Sequence, residues 1–301
     1  MPDSFTVVEN AYSENLAVPA FNIPHLEMME PVIAAVRDED AFAFVEVARL
    51  EWTKMSAIGL SEVAREFFKH EDPGHVRLHL DHIPVIDEDD CEVDWQPIFQ
   101  EAIEAGFQSL MIDGSRLDLE GNIEKTSLAV EMAHHADLPC EAELGAVFGH
   151  EDGPRPSYEE LFASGRGFTN VEQARRFVKE TDCDWLSVAV GTVHGAISGM
   201  DKDQKKVEAR IDLDHLAKLA EATGIPLVLH GGSSVNQEYV LEAMKLGIAK
   251  INIATEIRQA YEFTLRDTDD TQAAQKAVYD RTGQLLSDYL GLSGTRRRVV
   301  Q

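Results

Sequence analysis

Short, nearly continuous apolar runs alternate along this chain with longer stretches whose apolar residues recur three and four apart. The stretches 19–22, 42–47, 76–80, 109–112, 139–143, 185–190, 226–230 and 250–254 predict strands, several of them apolar enough to be buried on both faces. Helical spacing lies between them, for instance at 26–36, 128–134 and 211–223. The last of these ends at Gly224 with Pro226 just beyond, a stop signal because glycine takes a left-handed backbone and proline cannot continue a helix. Eight strands, each followed by a helix or a loop and helix, predict a (β/α)8 (TIM) barrel. Residues 1–301 form one such domain, with about 256–301 as a C-terminal helical extension. The competing arrangement is a doubly wound open sheet. No G-x-G-x-x-G follows the first strand, which counts against its dinucleotide-binding form.

Charge narrows the partners. The chain carries 54 Asp+Glu against 27 Lys+Arg, a net −27. That excludes a nucleic-acid binder working through a general basic surface and argues against acidic membranes. Three cysteines, Cys91, Cys140 and Cys183, show no C-x-x-C, so neither a disulfide scaffold nor a Cys-only zinc site is expected. No basic flank precedes an apolar segment at the N-terminus, and no apolar run approaches about 18 residues. The expectation is a cytoplasmic protein.

In a barrel of this kind the chemistry sits at the C-terminal ends of the strands. His82, His194 and His230 fall at the mouths of strands three, six and seven. Any one alone reads as an ordinary hydrogen-bonded histidine. Three together suit a catalytic metal, which takes three protein ligands and keeps one position open. Gly231-Gly232-Ser233 and Asn252-Ile-Ala-Thr255 close strands seven and eight, where bare backbone N–H groups and a helix N-terminus receive a phosphate. Singly, each is a tight turn. Asp81, Asp113 and Glu143 lie at the ends of strands three, four and five, and Glu151 follows on the loop 149–153. Carboxylates at strand ends suit acid–base work, whereas Glu151 taken by itself reads as part of a solvated turn.

The set Val18-Pro-Ala-Phe-Asn-Ile23, Leu78-His-Leu-Asp-His82, Met111-Ile-Asp-Gly-Ser115, Glu141-Ala-Glu-Leu-Gly145, Gly149-His-Glu-Asp-Gly153, Ala189-Val-Gly-Thr-Val-His-Gly195, Leu229-His-Gly-Gly-Ser233 and Lys250-Ile-Asn-Ile-Ala-Thr-Glu256 resembles the class II, metal-dependent ketose-bisphosphate aldolases. This is the family of fructose- and tagatose-bisphosphate aldolases, and the match covers about residues 15–260. The Asn-Ile-Ala-Thr-Glu ending is closer to the tagatose-type branch.

The resemblance implies reversible aldol cleavage of a ketose phosphate to dihydroxyacetone phosphate and an aldehyde, on one zinc ion per subunit held by His82, His194 and His230. Zinc polarises the C2 carbonyl and stabilises the enediolate. Asp81 exchanges the proton of the C4 hydroxyl, Glu151 that of the dihydroxyacetone phosphate carbon, and Asn252 hydrogen-bonds the enediolate. Gly195, Gly231, Gly232, Ser233, Ala254 and Thr255 cradle the phosphate, beside a monovalent cation (Na+ or K+). Asp113 and Glu143 support the ligands or hold an alternative metal position. Lys250 begins strand eight, at the wrong end for a Schiff-base lysine. A homodimer or homotetramer is implied.

The chain departs from the family after strand two, where a Ser or Thr with glycines is usual. Here Glu46, Arg49 and Glu51 are expected at the rim, making Glu46 and Arg49 candidates for acceptor specificity. Nor is there an Asp-Pro-Arg for the distal phosphate, which leaves Arg281 or the cluster Arg296-Arg297-Arg298. A second reading is therefore a related lyase on a carboxylated or sulfonated ketose, with Arg49 as its anion partner. A third is a non-catalytic descendant that binds a sugar phosphate. The net acidity is expected on the outer surface rather than in the site.

Overall fold

Eight parallel strands close into a barrel in chain order: β1 (Val18–Asn22), β2 (Ala43–Ala48), β3 (Val76–Pro84), β4 (Ser109–Asp113), β5 (Cys140–Leu144), β6 (Trp185–Val188), β7 (Leu227–Leu229) and β8 (Ile248–Ile253). β8 returns to pair with β1, Asn252 standing opposite Ala20. The computed structural model describes residues 2–56, 59–145, 158–192, 209–232 and 235–301. All eight strands fall on the runs expected from the sequence, because strands covered on both faces are written mainly in apolar residues.

Helices occupy the intervals: α1 (Ser4–Ser13) before the barrel, α2 (Met29–Asp38), α3 (Arg49–Thr53), α4 (Leu60–His70), α5 (Trp95–Ala105), α6 (Leu119–His134), α7 (Tyr158–Ser164), α8 (Val171–Thr181), α9 (Leu213–Thr223) and α10 (Gln237–Lys245). Their starts are local chemistry. Asp3, Asp118, Asn170, Asp212 and Asn236 each accept a first-turn amide in their side chains, satisfying donors that a helix cannot pair internally. The stop expected at Gly224 is present, with φ 67° and its N–H on the Ala220 carbonyl. α4 shows the packing logic, burying Leu60, Val63, Ala64 and Phe67 from one face. No helix among the described residues is long and apolar enough to cross a membrane.

The C-terminal part is helical. α11 (Thr255–Thr268) leaves β8 at the barrel mouth and α12 (Thr271–Gln284) folds back along it. A π-helical turn at Leu285–Tyr289 and α13 (Arg296–Val299) follow. This last segment reaches the opposite end of the barrel. Arg296 pairs with Asp40, which precedes β2, and Arg298 with Glu14, which precedes β1, at 2.7 and 2.8 Å.

Candidate active site

Strict alternation would put Asp81 and His82 on opposite faces of β3. A bulge prevents it. Pairing with β4 passes from Leu80–Leu110 to Ile83–Ile112, so β3 carries one extra residue there, and His82 takes a left-handed φ of 34°. Both side chains consequently join one cluster with His230. Left-handed backbone at a residue with a side chain costs about 1–3 kcal/mol, and such strain gathers at functional sites.

The two imidazoles face each other, His230 Nδ1 lying 2.6 Å from His82 Nε2. Their outer nitrogens rest on carboxylates: His230 Nε2 is 2.9 Å from Glu141, and His82 Nδ1 is 3.3 Å from Asp113. Glu143 lies 3.7 Å from His82 Nδ1 and 3.6 Å from His230 Nδ1. A carboxylate draws the ring proton to the outer nitrogen, which turns the two inner lone pairs toward each other. At 2.6 Å that arrangement is unfavourable unless a cation lies between them. Burial would lower the pKa of His82, but the charge of Asp81, the hydrogen bond to Asp113 and the charge of Glu143 push it well above the ordinary value. Imidazoles oriented by outer carboxylates are also the usual frame of a bound metal. The donor set fits one. Asp113 is in turn held by the Ser115 N–H and hydroxyl at 2.9 and 2.6 Å, and its carboxyl is lowered to about 2 against the effect of burial, chiefly by His82.

Asp81 is 1% exposed, yet ionised. Burial would raise its pKa, and its histidine neighbours, His82 first, together with the Lys250 ammonium hold it well below the carboxylate range. One oxygen accepts the Asn22 amide at 2.9 Å and the other the Asn252 amide at 3.0 Å. Asn22 was not among the residues expected to matter. Its place at the end of β1 was the available signal.

Two expectations change inside the barrel. Lys250 is not at the wrong end: it is the third residue of β8, fully buried, and its long side chain brings Nζ to 2.7 Å from Asn252 Oδ1. The same ammonium lies 3.0 Å from Glu141 and 3.2 Å from Glu46. Those charges overcome burial and keep it protonated, the wrong state for a Schiff-base nucleophile. Glu46 is likewise not at the rim. β2 continues to Ala48, so Glu46 stands mid-strand opposite Asn22 and His79, fully buried beside Lys250. Burial, then the charge of Asp81, pushes its carboxyl well above the usual range. Arg49 does lie at the mouth as the first residue of α3, where it pairs with Asp87 at 3.4 Å. Glu51 is buried there and accepts the Ala48 amide at 2.8 Å.

The phosphate-loop candidates occupy adjoining strand ends. Gly231 has φ 70°, and a Cβ on Gly232 would stand 2.6 Å from Ile251 Cγ2, so the second glycine lets the β7 loop close on β8. The next helix begins at Gln237, capped by Asn236. Ala254 caps α11 and Thr255 is its first residue. The Tyr289 hydroxyl, within hydrogen-bond distance of the Gly232 and Val235 carbonyls at 3.0 and 2.6 Å, ties the C-terminal segment to this loop. Arg281 reaches the same rim by pairing with Glu256. Arg296 and Arg298 do not, because their partners lie at the far end of the barrel. Glu151, His194, Gly195 and Ser233 lie outside the described residues.

Residues 3–291 match the family model described as fructose-bisphosphate aldolase class-II. The chain is 32% identical over 293 residues to a fructose-bisphosphate aldolase of Helicobacter pylori (strain J99 / ATCC 700824), covering 89% of this chain and 88% of that protein. Among solved structures, the YdjI aldolase of Escherichia coli K12 superposes with a TM-score of 0.77 at 27% identity, over 98% of this chain and 99% of that one. A fructose-bisphosphate aldolase of Campylobacter jejuni shares the fold, with a TM-score of 0.71 at 17% identity, over 95% and 94% of the two chains. With a barrel closed in chain order, a histidine pair set on carboxylates and a family match over nearly its whole length, this chain belongs to the class-II fructose-bisphosphate aldolases, a family of lyases.

Proposed function

We propose that this protein is a zinc-dependent aldolase that cleaves and forms a ketose phosphate, with dihydroxyacetone phosphate as one product. The observation that carries the reading is the facing pair His82–His230, each imidazole set on a carboxylate, next to the ionised and buried Asp81. His82 and His230 hold the metal, with His194 as third ligand. When bound, it supplies a Lewis acid at the ketose carbonyl.

The remaining work falls to the chain itself. Asp81, kept ionised by its histidine and lysine neighbours, takes the hydroxyl proton whose loss starts carbon–carbon cleavage and returns it in condensation. Asn22 and Asn252 fix that carboxylate from two sides. Asn252 also donates to the substrate, and Glu151 exchanges the proton at carbon. Gly195, Gly231, Gly232, Ser233, Ala254 and Thr255 receive the phosphate, with a monovalent cation (Na+ or K+) beside it.

The acceptor end favours a second reading within the same reaction class. Arg49 and Arg281, the arginines that α3 and α12 bring to the mouth, are both paired with carboxylates. That pairing suits a substrate whose distal end is a carboxylate, a sulfonate or neutral better than one ending in a second phosphate dianion. Glu46, buried beneath the mouth, shapes selectivity only through Lys250.

The test combines metal dependence with trapping. Chelation abolishes cleavage across a panel of aldehydes condensed with dihydroxyacetone phosphate, and zinc or cobalt restores it. His230→Ala loses bound metal, whereas Asp81→Ala retains metal and loses turnover. A covalent adduct captured by borohydride, or full turnover by Asp81→Ala, overturns the reading.

A further inference from the structure

Asn252 sits between two groups of opposite kind. Its Oδ1 accepts from the Lys250 ammonium at 2.7 Å, and its Nδ2 donates to Asp81 Oδ1 at 3.0 Å. An ammonium has only donors and an ionised carboxylate only acceptors. Turning the amide over would therefore set N–H against N–H on one side and oxygen against oxygen on the other. The lysine is itself immobilised. Its Nζ lies 3.2 Å from Glu46 and 3.0 Å from Glu141, and all three side chains are fully buried inside the barrel.

We infer that Lys250, anchored on Glu46 and Glu141, is a positioning residue that fixes the orientation of the Asn252 amide, so that one N–H serves Asp81 and the other faces the sugar phosphate. This rests on the aldolase reading of the site. It gives a task to a buried charge cluster lying beneath the histidines, and to a lysine with no part in covalent chemistry. Glu46 enters as the second anchor: Glu141 also receives His230 at 2.9 Å, so Glu46 is the carboxyl group that the lysine does not share with a histidine hydrogen bond.

The competing explanation is that Lys250 merely balances buried carboxylates. Replacing the two paired side chains together separates the two explanations. The variants are Glu46→Gln/Lys250→Met, Asn252→Ala and the triple combination, measured for kcat, KM, metal content and melting temperature. The double variant keeps parent-like metal content and melting. Its kcat falls by about tenfold or more while KM stays within about twofold, as expected when a hydrogen bond to a charged group is lost. On the Asn252→Ala background, the same pair of changes alters kcat by less than about twofold, because their effect passes through that amide. Parent-like kcat in the double variant overturns the inference, and so does an undiminished loss on the Asn252→Ala background. A crystal structure of the double variant gives a readout independent of turnover. Asn252 rotated away from Asp81 supports the assignment, and Asn252 unmoved defeats it. Absence of cleavage by the parent enzyme defeats the aldolase reading instead, and the amide orientation then decides on Lys250 alone.

Discussion

Glu51 is a carboxyl group placed where ionisation is costly. It is 6% exposed, and burial, followed by the charge of Asp81, pushes it up to about 8 although the Ala48 and Asn22 hydrogen bonds pull the other way. In the unfolded chain it would titrate near 4.3, as glutamate ordinarily does (roughly). Between those two values the unfolded chain has released the proton while the folded protein keeps it. Stability therefore falls as pH rises through that window, and the loss is complete once the folded value of about 8 is passed. Asp113 and Glu141 have the opposite sign. Both are lowered to about 2, so their contribution is present above the ordinary carboxylate value and disappears as pH falls through the folded one. Glu51→Gln retains an oxygen for the Ala48 N–H but cannot ionise. Its melting temperature should exceed that of the parent by an amount that grows from about pH 5 to about pH 9. Parallel melting curves for the two proteins across that range would show that Glu51 ionises as freely folded as unfolded.

At the scale of elements, the site depends on how β3, β7 and β8 end. Gly232 lets the loop after β7 lie against Ile251, one residue before Asn252. Gly232→Ala places its Cβ 2.6 Å from the Ile251 methyl, so β8 or the loop must shift. Overpacking of this sort costs about 1–3 kcal/mol. The expected result is a lower melting temperature together with a raised KM for the phosphorylated substrate, and an unchanged KM would separate this loop from phosphate binding. The strands themselves were legible in the sequence because burial on both faces writes them as apolar runs. The bulge at Asp81–His82 was not, since nothing in a linear pattern says that two consecutive residues will turn to the same cavity; the left-handed φ of His82 is a tertiary consequence of β3 pairing with β4. Lys250 was misplaced for a related reason. Position along a strand locates the backbone, whereas a lysine side chain carries its charge several ångströms farther, here from mid-barrel to Asn252. Glu46 erred in the opposite direction, because β2 runs two residues beyond it. Asn22 and Glu141 stood within recognised motifs, and only the geometry reveals their partners, Asp81 and His230.

For the whole molecule, the net charge of −27 had been assigned to the outer surface, with a few named carboxylates at the strand ends. The barrel holds more. Glu46, Glu51, Asp81, Asp113, Glu141 and Glu143 gather in its interior and mouth, with Lys250 as the lysine among them. Burial pushes Glu46, Glu51 and Glu143 toward their neutral forms, whereas Asp81, Asp113 and Glu141 are held ionised, and those three favour a cation and by themselves disfavour a phosphate dianion. On the proposed reading, substrate approaches through a repulsive field and is held, once inside, by short contacts: backbone N–H groups at the β7 and β8 ends, the metal, and arginines already shared with Asp87 and Glu256. Salt acts differently on these two parts. Raising ionic strength from about 0.01 to 0.15 M shortens the screening length from about 30 to 8 Å, which removes the long-range repulsion and leaves buried contacts little changed. KM for a ketose phosphate should thus fall over that range while kcat holds steady. A KM that instead climbs steadily from the lowest salt would mean that the rim arginines attract the substrate at a distance, and that their pairing with Asp87 and Glu256 gives way before the sugar arrives.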